Sequence, residues 1–160
     1  MKTWVKILIV TVAVALPAFL LEPAGPWGGF WRPSPVMPEP TAGLVPFLMV
    51  LGLLDALSLG AAVSFLIFGY PLVAAIGTTS KGLTFAAYLA IAWLLGNWWA
   101  HDSLHIHHGP ELVPLLSIEY GFHVPLMISG AILAVFFVKV LNQRTVLPQE
   151  GYKVKTKAIA

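Results

Sequence analysis

Four long apolar segments, almost free of charged residues, constrain this chain more than any other feature of its sequence. They cover residues 4–21, 43–70, 82–108 (with 83–100 in the bilayer) and 112–141. A transmembrane helix needs roughly 20 mostly apolar residues, so each segment is long enough to cross a membrane. We therefore predict an all-α integral membrane protein, a four-helix bundle with antiparallel neighbouring spans, in one domain over residues 1–160.

The composition supports a membrane location and excludes several other classes of protein. Hydrophobic residues make up 58% of the chain and charged residues only 10%, whereas about 25% of the residues in soluble domains are charged. The sequence has no solvated basic face with aromatic residues, so we expect no nucleic-acid partner. Cysteine is absent, which excludes disulfides and thiolate metal sites. The expected partners are the lipid bilayer and other membrane subunits.

The first apolar segment has two interpretations. Its charged start and short apolar core also fit a secretory signal peptide. However, Leu20, Leu21 and Glu22 occupy the place where small residues would mark a cleavage site. We interpret residues 4–21 as an uncleaved first span.

A proline-rich stretch follows the first span. Six prolines and several glycines between residues 22 and 42 rule out a regular helix there and predict a loop. In the second span, Gly52, Ala56 and Gly60 recur every four residues, and such a stripe lets a neighbouring helix approach closely.

The distribution of basic residues predicts the orientation in the membrane. Of the nine lysines and arginines, only Arg32 lies on the side of the proline-rich loop. Cytoplasmic loops carry an excess of positive charge. We therefore expect both termini and the tail at 142–160 in the cytoplasm, with loop 22–42 and the histidines on the outer side.

All five histidines fall between residues 101 and 123, near the junction of the third and fourth spans. His101 and His105 are four residues apart, as are Glu119 and His123, so each pair shares one helical face. His101 and Glu119 each lie 20 residues from an inner lysine, Lys81 or Lys139. At a rise of ~1.5 Å per residue, this places both at about the same depth. A deeper polar layer is expected to combine Asp55, Asn97 and His123.

These spacings predict one transition-metal site near the outer surface, because imidazole and carboxylate groups suit such ions. The predicted ligands are His101, His105, Glu119 and His123. Four further residues are predicted to orient these ligands or to replace one of them: Asp55, Asn97, Asp102 and His108. Copper, iron and zinc all remain possible. Haem is less favoured, because only His123 lies opposite the histidines of the third span.

The leading functional hypothesis is a small metal-binding subunit of a larger oxidation–reduction complex, such as a membrane oxidoreductase or monooxygenase. One alternative is an accessory subunit without a cofactor, whose polar layer serves packing or proton transfer. Another is a metal-dependent membrane hydrolase that activates a bound water. Simple solvation or a hydrogen-bonded helix contact would also account for some of the histidines.

Two known families share single features with the chain. Residues 101–108 resemble one histidine box of the membrane fatty-acid hydroxylases and desaturases, whose full pattern contains more histidines over a longer chain. Asp102, His105 and His123 are similar in type, though not in spacing, to the Asp–His–His metal site of copper-dependent membrane monooxygenases. Neither resemblance covers the chain, and we assign it to neither family.

Overall fold

The computed structural model describes residues 2–23, 25–28, 33–76 and 79–155, with side chains as far as Gln143. These residues form five helices and no strand: α1 (Thr3–Leu21), α2 (Val45–Phe68), α3 (Tyr70–Ile76), α4 (Lys81–His108) and α5 (Leu112–Lys155). Four helical segments are long and apolar enough to cross a membrane: α1, α2, α4 and the Leu112–Gln143 part of α5. The prediction of an all-helical four-span membrane protein is confirmed.

Two helix ends differ from the predicted boundaries. The second predicted span stops early, because α2 ends at Phe68 and Tyr70 begins the separate short helix α3. The last helix continues beyond the predicted end at residue 141 to Lys155. The sequence 142–147 contains neither glycine nor proline, so nothing there stops the helix.

The spans pack in the order α1, α2, α4, α5, and each neighbouring pair is antiparallel. Residues near the end of α1 face the beginning of α2, so that Ala15 and Ala18 pack on Ala56. Between α2 and α4, the hydroxyl of Ser58 donates a hydrogen bond to the carbonyl of Leu95. Large apolar side chains on the outer faces of the spans remain exposed, as expected where helices contact lipid.

The small-residue stripe of α2 lies against α1, as the sequence predicts. Gly52, Ala56 and Gly60 are all buried. A Cβ atom added to Gly60 would collide with the carbonyl oxygen of Thr11. This close approach brings the middle of α1 into backbone contact with α2.

The proline-rich loop returns to the end of α4 that carries the histidines. The backbone N–H of Ser34 donates to the carbonyl oxygen of Ile106 at 3.0 Å. Helix α4 ends at His108, and the following residue, Gly109, has a φ of 62°. A Cβ atom on Gly109 would lie 2.8 Å from Ser34 Oγ. A left-handed φ and this close contact both favour glycine. The loop, the end of α1 and the histidines therefore lie together at one end of the molecule.

Candidate metal centre

Two histidines of α4 face each other across one helical turn. The Nε2 atoms of His101 and His105 are 3.1 Å apart, and their ring centroids are 4.5 Å apart. In neutral histidine only one ring nitrogen carries a proton, so this contact needs one donor and one acceptor nitrogen. A metal ion can take the place of the shared proton, because neutral imidazole nitrogen is a metal ligand.

The carboxylate of Glu119 brings a third possible ligand from α5. Its Oε1 atom lies 3.5 Å from Nε2 of His105. His101, His105 and Glu119 can each offer one ligand atom, and these atoms all lie within 4.8 Å of one another. Bonds of ~2.0–2.2 Å to one ion place neighbouring ligand atoms roughly 3.0–3.6 Å apart. The two direct distances fall in this range, so the group can hold a metal ion.

His101 and Glu119 each contact one further polar side chain. Nδ1 of His101 lies 2.9 Å from Oδ1 of Asp102, which leaves its Nε2 facing His105. Nδ1 of His123 lies 2.5 Å from Oε2 of Glu119, on the opposite side of the carboxylate from His105. Such partners fix the orientation and tautomer of metal ligands.

The side chains become more exposed from α4 towards α5. His101 is 13% exposed, His105 is 27% and Glu119 38% exposed, and His123 reaches 49%. The α4 side of the site is therefore held in the protein, whereas the α5 side is open to the surroundings. An ion bound here would be reachable from outside the bundle.

The structure brings together some of the predicted site residues and separates others. His123 contacts Glu119 and its ring lies 5.3 Å from that of His101, but it lies outside the three-residue group. The amide of buried Asn97 donates to the Trp93 carbonyl at 2.7 Å, within its own helix. His108 packs on the ring of His107, with 4.8 Å between the centroids. Direct ligation by His123 stays a prediction.

The observed contacts agree in part with the predicted layers. Glu119 and His101 belong to one three-residue group, as predicted, and the direct contact of Glu119 is with His105. Asp55 lines a cavity with Asp102 and His105, and its predicted pairing with Asn97 and His123 stays a prediction. Residue counts along straight helices do not include how neighbouring helices cross, and the crossing of α4 and α5 decides which histidine contacts Glu119.

A second group of acidic side chains lies next to the histidines. Glu22, Asp55 and Asp102 line a cavity of about 280 Å³, with His105 in the same wall. The three carboxyl groups come from the end of α1, from α2 and from α4. We call them the carboxylate cluster.

Glu22 is the residue that the sequence analysis missed as a functional candidate. It caps the end of α1 and is only 6% exposed. Burial raises the pKa of its carboxyl group to about 7, and the nearby carboxyl groups of Asp55 and Asp102 add to this effect. The only sequence signal is a carboxylate placed directly between an apolar span and Pro23.

Comparison with known proteins adds no assignment to this geometry. No protein-family model matches the chain, and no significant similarity to a curated protein or a solved structure was found. The site is therefore interpreted from its own residues.

Proposed function

We propose that this membrane protein binds one transition-metal ion through His101, His105 and Glu119, and that it serves oxidation–reduction as a subunit of a larger complex. The observation that carries the proposal is the convergence of three ligand atoms from α4 and α5 within 4.8 Å. The absence of cysteine and the presence of imidazole and carboxylate favour iron, copper(II) or zinc and disfavour copper(I).

Iron suits this ligand set best among the three metals. Two histidines and one carboxylate, with further coordination positions left open, are typical of non-haem iron sites that activate oxygen. The same ligand types also bind zinc in some hydrolases. The exposed α5 side of the site supports open positions at the metal, which both chemistries need.

The residues around the ligands have definable roles in this proposal. Asp102 accepts a hydrogen bond from Nδ1 of His101 and so keeps its Nε2 free for the ion. His123 holds the second oxygen of Glu119, which leaves Oε1 for the ion. When bound, the ion would supply electron exchange or Lewis acidity, and the protein supplies the geometry.

The metal content of the purified protein tests this proposal. We expect about one transition-metal ion per chain at His101, His105 and Glu119, and an iron- or copper-derived electron paramagnetic resonance signal that changes on reduction. Stoichiometric zinc with no redox response would favour the hydrolase. A chain that binds no metal, even when supplied with each of the three ions, would refute the proposal.

Proton transfer without a metal is the second candidate, and one observation favours it. From Glu22 to His123, titratable side chains follow one another from α1 to α5 through the carboxylate cluster and the histidines. Such a chain can relay protons as well as bind an ion. Failure of metal binding, together with altered proton uptake in an Asp55→Asn variant, would support this role.

We also propose that the histidine end faces outward and both termini face the cytoplasm, on the basis of the basic residues. Lys81 begins α4, and Glu111 lies between the other end of α4 and the start of α5; both are exposed. In this cysteine-free chain, a cysteine at Glu111→Cys should react with a membrane-impermeant reagent in intact cells. A cysteine at Lys81→Cys should react only after permeabilisation. The reverse pattern would contradict the orientation.

A further inference from the structure

One carboxylate oxygen of Glu22 is buried without a hydrogen-bond partner among the described residues. Its Oε1 atom is fully enclosed and makes no hydrogen bond among the described residues, although the residue is only 6% exposed. Leaving a buried polar group unpaired is costly, and more so for a charged one. Glu22 also lines the cavity of the carboxylate cluster, so that cavity borders a buried side chain with one unpaired oxygen.

The side chain points towards the cavity of the carboxylate cluster. A Cβ atom placed on Gly52 would lie 3.2 Å from Cγ of Glu22 and 3.5 Å from its Oε2. Gly52 also lines the cavity and lies three residues before Asp55, on the same face of α2. The side chain of Glu22 therefore packs on the face of α2 that also carries Asp55.

The other two carboxyl groups meet in the same cavity. Asp55 is 9% exposed, and it lines the cavity together with Asp102. Apart from His105, the described residues that line the cavity include no basic side chain. Carboxylates from three helices around one cavity repel one another unless a positive charge lies among them.

We propose that Glu22, Asp55 and Asp102 form a second cation site, which binds a divalent ion that prefers oxygen ligands. Carboxylate oxygens from three helices suit manganese, magnesium or calcium better than copper or zinc. An ion bound between the three carboxyl groups compensates their negative charge. The site shares no ligand with the three-residue histidine group, although Asp102 also contacts His101 and His105 lines the same cavity.

Binding of Mn²⁺ to the metal-stripped, full-length protein tests the second site, because free Mn²⁺ gives a resonance signal that disappears on binding. We expect Glu22→Gln and Asp55→Asn to weaken Mn²⁺ binding by at least about 10-fold, since affinity at such sites follows the number of charged ligands. Gly52→Ala should also weaken it, because the added Cβ would lie 3.2 Å from Cγ of Glu22 and shift that side chain slightly. The charge of Glu22 is unchanged in this variant. Glu39→Gln, in the exposed loop, is the matched control and should have no effect.

A further variant separates this site from the histidine site. Glu119→Gln should weaken zinc binding and leave Mn²⁺ binding unchanged. Mn²⁺ binding that depends on Glu22 in a protein that binds no zinc, iron or copper would uphold the second site and refute the first. No Mn²⁺ binding by the unmodified protein, or equal binding by Glu22→Gln, Gly52→Ala and Glu39→Gln, would overturn the second site.

Discussion

Replacing His105 by alanine should reduce the affinity for the transition metal by more than about 100-fold, because loss of a ligand exceeds the 10–100-fold cost of losing an orienting partner. His105 is the central residue of the site: its Nε2 lies 3.1 Å from that of His101 and 3.5 Å from Glu119 Oε1. The measurement is metal per folded chain, over a range of free metal concentration.

His107→Ala is the matched control for this experiment. His107 lies two residues further along the same helix, is exposed and packs on His108. Its removal should leave the metal content unchanged. Equal losses for the two variants, or loss only in His107→Ala, would show that the ion binds elsewhere on the histidine-rich end.

His123→Ala should lower the affinity for the metal by about 10- to 100-fold while the protein still binds one ion at saturation. The imidazole contacts Glu119 Oε2 at 2.5 Å, so its loss frees the carboxylate to rotate without removing a ligand of the three-residue group. Metal titration of folded protein measures both the affinity and the stoichiometry.

The size of this effect also decides the role of His123. A loss as large as that of His105→Ala would make His123 a direct ligand, as the spacing with Glu119 predicts. Unchanged affinity would contradict both roles. His108→Ala serves as the control, because His108 packs on His107 rather than on the three-residue group.

The spans could be predicted from the sequence because apolar length alone determines whether a helix can cross a membrane. The stripe at Gly52 and Gly60 likewise predicted close packing, since its spacing depends only on the helical repeat. The end of α4 at His108 followed from Gly109 and Pro110. These features depend on residues that are near one another in the chain.

The site could be predicted only in part, because its contacts join different helices. The i, i+4 spacing identified His101 with His105 and Glu119 with His123, but which histidine meets Glu119 depends on how α4 and α5 cross. Glu22 was missed for a related reason. A single carboxylate after an apolar span is expected to be solvated. Glu22 is buried only because the chain folds back after α1 and its side chain packs on α2.

The most direct test of the central claim is to count the imidazoles that coordinate one bound ion. Pulsed electron paramagnetic resonance of the protein loaded with one Cu²⁺ detects the distant ring nitrogen of each coordinated histidine. We expect the signature of two imidazoles in the unmodified protein, and of fewer in His101→Ala and His105→Ala. A spectrum without imidazole modulation, or one that neither substitution changes, would contradict a metal centre built from His101, His105 and Glu119.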